Sequence, residues 1–198
     1  MNTFLGACVT FGPEDVEEAE VASAAVTYME GYLFDPPAAQ QAFYKAAKIA
    51  HAAGRQVSMT LSDSFCVGRH RAAFRAFVAG ETDILFANES ELLSLYETED
   101  FGAALDAVRR DVGLAAVTRS EKGSVVVAGD TTVEVAAVPT RLVDSTGAGD
   151  AYAAGFLAAH AKGLPLAECG RWGSVAAAEV ISHFGARPQA DLKALVQA

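Results

Sequence analysis

Short β-prone runs alternate with stretches of helical periodicity, and this alternation constrains the fold of the chain more than any other feature. Runs at 25–30, 56–61, 83–87 and 114–118 are rich in β-branched and apolar residues. Between the first two, 37–53 carries apolar residues at helical spacing (Ala39, Phe43, Ala46, Ala47, Ala50), opened by Pro36-Pro37 and closed by Gly54. Helices are also predicted over 15–24, 69–79, 88–96 and 101–112. Two β runs, 124–128 and 131–138, flank Gly129-Asp130 and read as a hairpin. The run 3–10 is also β-prone. From Gly147 onward the chain reads as nearly all helix: 147–162, 165–183 and a terminal helix near 189–197. Repeated β-α-β units imply an α/β fold with a mostly parallel sheet covered by helices. Ligands of such sheets sit beyond the carboxyl ends of the strands. That places the informative residues in 88–91, 118–123 and 144–150.

The length of 198 residues suits one domain, with no internal repeat, linker or boundary along 1–198. An apolar fraction of 52% marks a globular chain, but 41 residues are alanine, so helices are expected to pack closely on small side chains. The net charge is −10, from 15 basic and 25 acidic residues. That argues against nucleic acid or an anionic membrane as partner, since both need basic patches. No stretch reaches the roughly 20 apolar residues of a spanning helix. Leu5-Gly6-Ala7-Cys8 has the look of a lipoprotein cleavage site but lacks a basic leader and an apolar core before it. Cys8, Cys66 and Cys169 form no CxxC pair and read as buried thiols of a reducing, cytoplasmic setting. His51, His70, His160 and His183 are scattered without metal spacing.

The segment Asp144-Ser145-Thr146-Gly147-Ala148-Gly149-Asp150 carries the most chemistry. Small residues opening a long helix allow a ligand to approach backbone N–H groups at the positive helix end, which suits phosphate. Asp150 in the first turn could then take a proton from an attacking hydroxyl. A glycine-rich N-cap with Asp150 favouring the helix dipole explains the same residues equally well. At Asn88-Glu89-Ser90-Glu91, a capping box competes with a cation-organising role.

Residues 144–157 (Asp-Ser-Thr-Gly-Ala-Gly-Asp-Ala-Tyr-Ala-Ala-Gly-Phe-Leu) resemble the signature of the PfkB, or ribokinase-like, family of carbohydrate and nucleoside kinases. Asn88–Glu91 resembles the family's Asn-x-x-Glu motif, 118–124 its nucleotide-binding turn, and 176–188 its last large helix and following turn. The wording of 1–8 and 176–188 is most similar to the adenosine-kinase-like branch. The resemblance implies a three-layer α/β/α architecture and transfer of the γ-phosphate of ATP to a nucleoside or sugar hydroxyl. It makes Asp150 the base and Gly147, Ala148 and Gly149 the anion hole. It assigns Mg²⁺, through water, to Asn88 and Glu91, and nucleotide contacts to Asn88, Thr118, Ser120 and Gly123, with Gly173 and Ser174 beside the adenine. Family members often carry glycine where Ser120 stands. A K⁺ site is implied at Asp144 and Thr146, with carbonyls near Val180, His183 and Gly185.

Kinases of this family begin with further strands, a sugar-holding segment and a β lid, none of which this sequence matches. The expectation is therefore the C-terminal, nucleotide-binding part of a longer kinase whose full form is capable of homodimerisation. A non-catalytic ATP-binding fragment or subunit is the alternative. A Rossmann oxidoreductase is disfavoured because no G-x-G-x-x-G follows the first strand.

Overall fold

The computed structural model describes residues 6–197. The chain divides into two compact units, residues 1–115 and 116–198.

In the first unit, short 3₁₀ turns at Gly6–Thr10 and Pro13–Asp15 precede α1 (Glu18–Ser23). Then follow β1 (Val26–Glu30), α2 (Pro37–Ala52), β2 (Gln56–Thr60), α3 (Ser64–Glu81), β3 (Ile84–Asn88), α4 (Glu89–Tyr96) and α5 (Phe101–Asp111). Strands β1, β2 and β3 are parallel, with Tyr28 opposite Ser58 and Ser58 opposite Ile84. Each crossover carries a helix, as parallel pairing demands. Aromatic rings from three elements fill the core. Phe34 stacks on Phe74 at 4.1 Å between ring centres, and Phe43 and Phe77 meet Phe34 edge-on at 5.5 and 5.8 Å. Such pairs add about 0.5–1.5 kcal/mol each beyond the area they bury.

Three sequence expectations change here. The β-prone run 3–10 is no strand where it is described. Gly6 takes a φ of +60° and a 3₁₀ turn follows, while 3–5 lie outside the described residues. The helix expected over 69–79 begins at Ser64, because the Asp63 carboxylate accepts from the amides of Phe65 and Cys66. A non-helical His70 then kinks it, which hides its periodicity. Cys66 and Cys169 are buried as expected, but Cys8 is exposed.

Strand β4 (Leu114–Thr118) spans the division between the units. The second unit continues with β5 (Ser124–Ala128) and β6 (Thr131–Val135), an antiparallel hairpin turning at Gly129-Asp130. Helices α6 (Ala148–His160), α7 (Leu166–Val180) and α8 (Leu192–Gln197) follow. Here the alanine excess finds its place. Ala151 of α6 packs with Ala176 and Val180 of α7, and Leu192 of α8 closes the cluster. The approach is so close that a Cβ on Gly173 would stand 2.9 Å from the Tyr152 carbonyl oxygen.

Parallel strands with helical crossovers in the first unit, and a hairpin followed by helices in the second, confirm the α/β class. Among the described residues no helix is long and apolar enough to cross a membrane.

Candidate active site

In the first unit Asn88 ends β3 and caps α4. Its Oδ1 accepts from the Glu91 amide at 2.9 Å and from Ser90 Oγ at 2.7 Å. Glu91 answers by accepting from the Asn88 amide at 2.8 Å and from Asn88 Nδ2 at 2.7 Å. The capping box foreseen from the sequence is therefore complete. Burial pushes the Glu91 carboxyl up to about 7 despite the Asn88 amide, and the charges of Asp63 and Glu30 add to the rise.

Those last two residues were missed in the sequence. Glu30 ends β1 and accepts a hydrogen bond from Ser62, which holds a φ of +67° just after β2. Asp63 caps α3. The only signal for them was position, an acidic residue at or just after a β run. Among the described residues no three His, Cys, Asp or Glu side chains are grouped to hold a metal directly. Asn88 and Glu91 offer oxygen donors of the kind a hydrated Mg²⁺ accepts.

In the second unit the turn after β4 closes on itself. The Arg119 amide donates to the Gly123 carbonyl at 2.7 Å, and the Gly123 amide to the Ser120 carbonyl at 3.1 Å. Gly123 has a φ of +85°, and a Cβ there would strike the Val135 carbonyl oxygen. Ser120 sits at a φ of +54°, a left-handed conformation that glycine takes without penalty. This is a physical reason for glycine to be common at such a position. Directly after the turn, the Tyr152 hydroxyl of α6 meets Ser124 Oγ at 2.7 Å, a pairing no sequence pattern announced.

Residues 144–150 form the second feature of this unit. Asp144 Oδ1 accepts from the Thr146 amide at 3.0 Å and Oδ2 from the Gly185 amide at 3.2 Å. The Thr146 amide and hydroxyl, with the Gly185 amide, hold the Asp144 carboxyl below its ordinary value. Gly147 then turns the chain at a φ of +81°, with Ala186 packed where its side chain would be. No side chain caps α6, so the Gly149 and Asp150 amides in its first turn are open to an anion. A Cβ on Gly149 would meet nothing within 4 Å, so the cradle faces open space. The Asp150 side chain is exposed, yet partial desolvation raises its carboxyl above the ordinary value. A carboxylate so tuned accepts a proton more readily than a fully hydrated one.

The residues of the implied K⁺ set are only partly drawn together. Asp144, Thr146 and Gly185 share hydrogen bonds, but through Thr146 and Gly185 amides. Val180 is buried at the end of α7, and the His183 ring turns to Glu179. Gly173 and Ser174 lie buried within α7, and close packing on Tyr152 by itself accounts for the glycine.

The profile of the pfkB family carbohydrate kinases matches residues 1–192. A Rhizobium etli protein described as a probable sugar kinase superposes with a TM-score of 0.97 at 51% identity, over 100% of this chain and 60% of that one. Adenosine kinase from Sinorhizobium meliloti gives 0.96 at 55% identity, over 100% of this chain and 61% of that one. Cytidine kinase of Thermococcus kodakarensis is 40% identical over 115 residues, 54% of this chain and 40% of the relative. The chain thus spans less than two thirds of each relative's length. Because the family profile runs through both units and across all three motif segments, the chain belongs to the pfkB family of carbohydrate kinases.

Proposed function

We propose that the protein is an ATP-dependent phosphotransferase that passes the γ-phosphate of ATP to a hydroxyl of a nucleoside, adenosine foremost, or of a sugar. The observation that carries this reading is the uncapped, small-residue first turn of α6 with Asp150 inside it. Asp150 takes the proton from the attacking hydroxyl. The Gly149 and Asp150 amides stabilise charge on the transferred group, while Gly147 and Ala148 keep the approach free of bulk. Phosphoryl transfer depends mainly on such positioning and charge stabilisation.

Asn88 and Glu91 would hold Mg²⁺ through its waters, and the cation would supply charge neutralisation on the phosphates. Thr118, Ser120 and Gly123 contact the nucleotide, with Gly173 and Ser174 near its base. Asp144 and Thr146, with the carbonyls near Val180, His183 and Gly185, would offer oxygen to K⁺. We read 1–198 as one α/β domain, the nucleotide-binding part of a cytoplasmic kinase. Support comes from the family match through both units and from the 55% identity to a protein named adenosine kinase.

ADP release with adenosine, ribose and fructose in turn tests the reading, with adenosine expected to turn over fastest. Asp150→Asn is expected to lower kcat by roughly 10²–10⁴-fold with MgATP affinity retained. Unchanged turnover in that variant removes Asp150 from the role of base.

A further inference from the structure

Glu179 joins a largely enclosed carboxylate to a distant stretch of the chain. It lies in the last turn of α7, at the negative end of the helix. Its side chain is only 8% exposed, and its Oε2 has no hydrogen-bond partner among the described residues. A buried carboxylate with one oxygen unsatisfied is costly, so the bonds made by the other oxygen must offset that cost.

The other oxygen is heavily used. Glu179 Oε1 accepts from the Gln189 and Ala190 amides, each at 2.9 Å, and from His183 Nε2 at 3.2 Å. These bonds grip the far end of the loop that leaves α7. The near end is also fixed, because the Ile181 carbonyl accepts from the amides of Val143 and Asp144. Between the two ends the loop meets the cradle itself. The Gly185 amide reaches Asp144 Oδ2, and Ala186 fills the space beside Gly147. Desolvation works against the Glu179 charge, but the Ala190 and Gln189 amides and His183 hold the carboxyl below its ordinary value.

We infer that Glu179 is a positioning residue for the phosphate cradle: by holding the end of the 181–190 loop, it keeps Gly185 on Asp144 and Ala186 against Gly147. The inference rests on the reading of 144–150 as a phosphate site, so the test separates the two. Amide hydrogen exchange is followed in the nucleotide-free protein for wild type, Glu179→Ala and Glu179→Gln, and MgATP binding is measured by calorimetry. In E179A we expect exchange at least tenfold faster at Gln189 and Ala190, and also at Gly185 and at the hydrogen-bonded amides of Asp144, Thr146 and Ala148, with MgATP bound about tenfold more weakly. E179Q keeps an acceptor oxygen and should stay within about threefold of wild type in both readouts.

If E179A speeds exchange at Gln189 and Ala190 alone, the loop end is not coupled to the cradle and the inference fails. Should E179A lose protection throughout, Ser124–Ala128 of β5 included, E179Q decides. Exchange near wild type at Gly185, Asp144, Thr146 and Ala148 in E179Q upholds the tie, whereas loss as general as in E179A reduces Glu179 to a packing residue. A wild type that binds no MgATP defeats the phosphate reading instead, and the exchange data still report on the tie.

Discussion

At the scale of single residues, the two candidate carboxylates are tuned the same way by related causes. Glu91 and Asp150 are both raised, each chiefly by desolvation. For Glu91 the consequence for stability has a definite sign. A carboxyl whose folded value, about 7, lies above its ordinary 4.5 favours the neutral form in the fold. Its contribution to stability is complete below about 4.5 and is lost as pH rises through about 7. In metal-free buffer the chain should therefore lose stability between pH 5 and 8, by on the order of 3 kcal/mol at most from this group. Glu91→Gln should flatten that part of the curve, as measured by urea unfolding at each pH. A slope unchanged by the substitution would show that Glu91 is ionised in the fold across the range. The capping role of Asn88 and Glu91 was legible from their spacing alone. The electrostatic neighbours Glu30 and Asp63 were not, because they come from other strand ends and share no periodicity with the motif.

At the scale of elements, apolar runs and proline or glycine boundaries placed β1, α2, β2 and the β5–β6 hairpin to within a few residues. Failures occurred where a local hydrogen bond overrode the pattern. Asp63 starts α3 within 62–68, a polar and irregular stretch, and His70 then breaks the phase. The loop after α7 was read as a turn, and only the family resemblance set its carbonyls near Val180, His183 and Gly185 beside Asp144 and Thr146. Its ties to Asp144 and Gly147 join residues about 40 positions apart, and such contacts leave no periodic trace. The α6–α7 pair was anticipated from composition as close packing on small residues, and its tightest points are glycines. Gly173→Val would drive a branched side chain into the Tyr152 carbonyl and ring. It is expected to destabilise the chain by about 1–3 kcal/mol, read as a lower urea midpoint. An unchanged midpoint would mean that the two helices can separate freely at that point.

At the scale of the whole molecule, the β-α alternation already pointed to an α/β fold, and the small-residue helix start at 144–150 to a local, backbone-built anion site. A charge of −10 is compatible with an anionic ligand when helix amides and a cation supply the potential instead of a basic surface. The three cysteines, which the sequence could not tell apart, divide sharply in the fold. Cys66 and Cys169 are enclosed, with burial pushing the Cys66 thiol up to about 11, while Cys8 is exposed. An aromatic disulfide reagent at neutral pH should therefore release one equivalent of chromophore from the native chain and three after denaturation. Two fast equivalents from the native chain would mean that one of the enclosed thiols is open. The chain thus carries its own count of unfolding, one thiol for a molecule that holds and three for one that has let go, readable in a cuvette without a label.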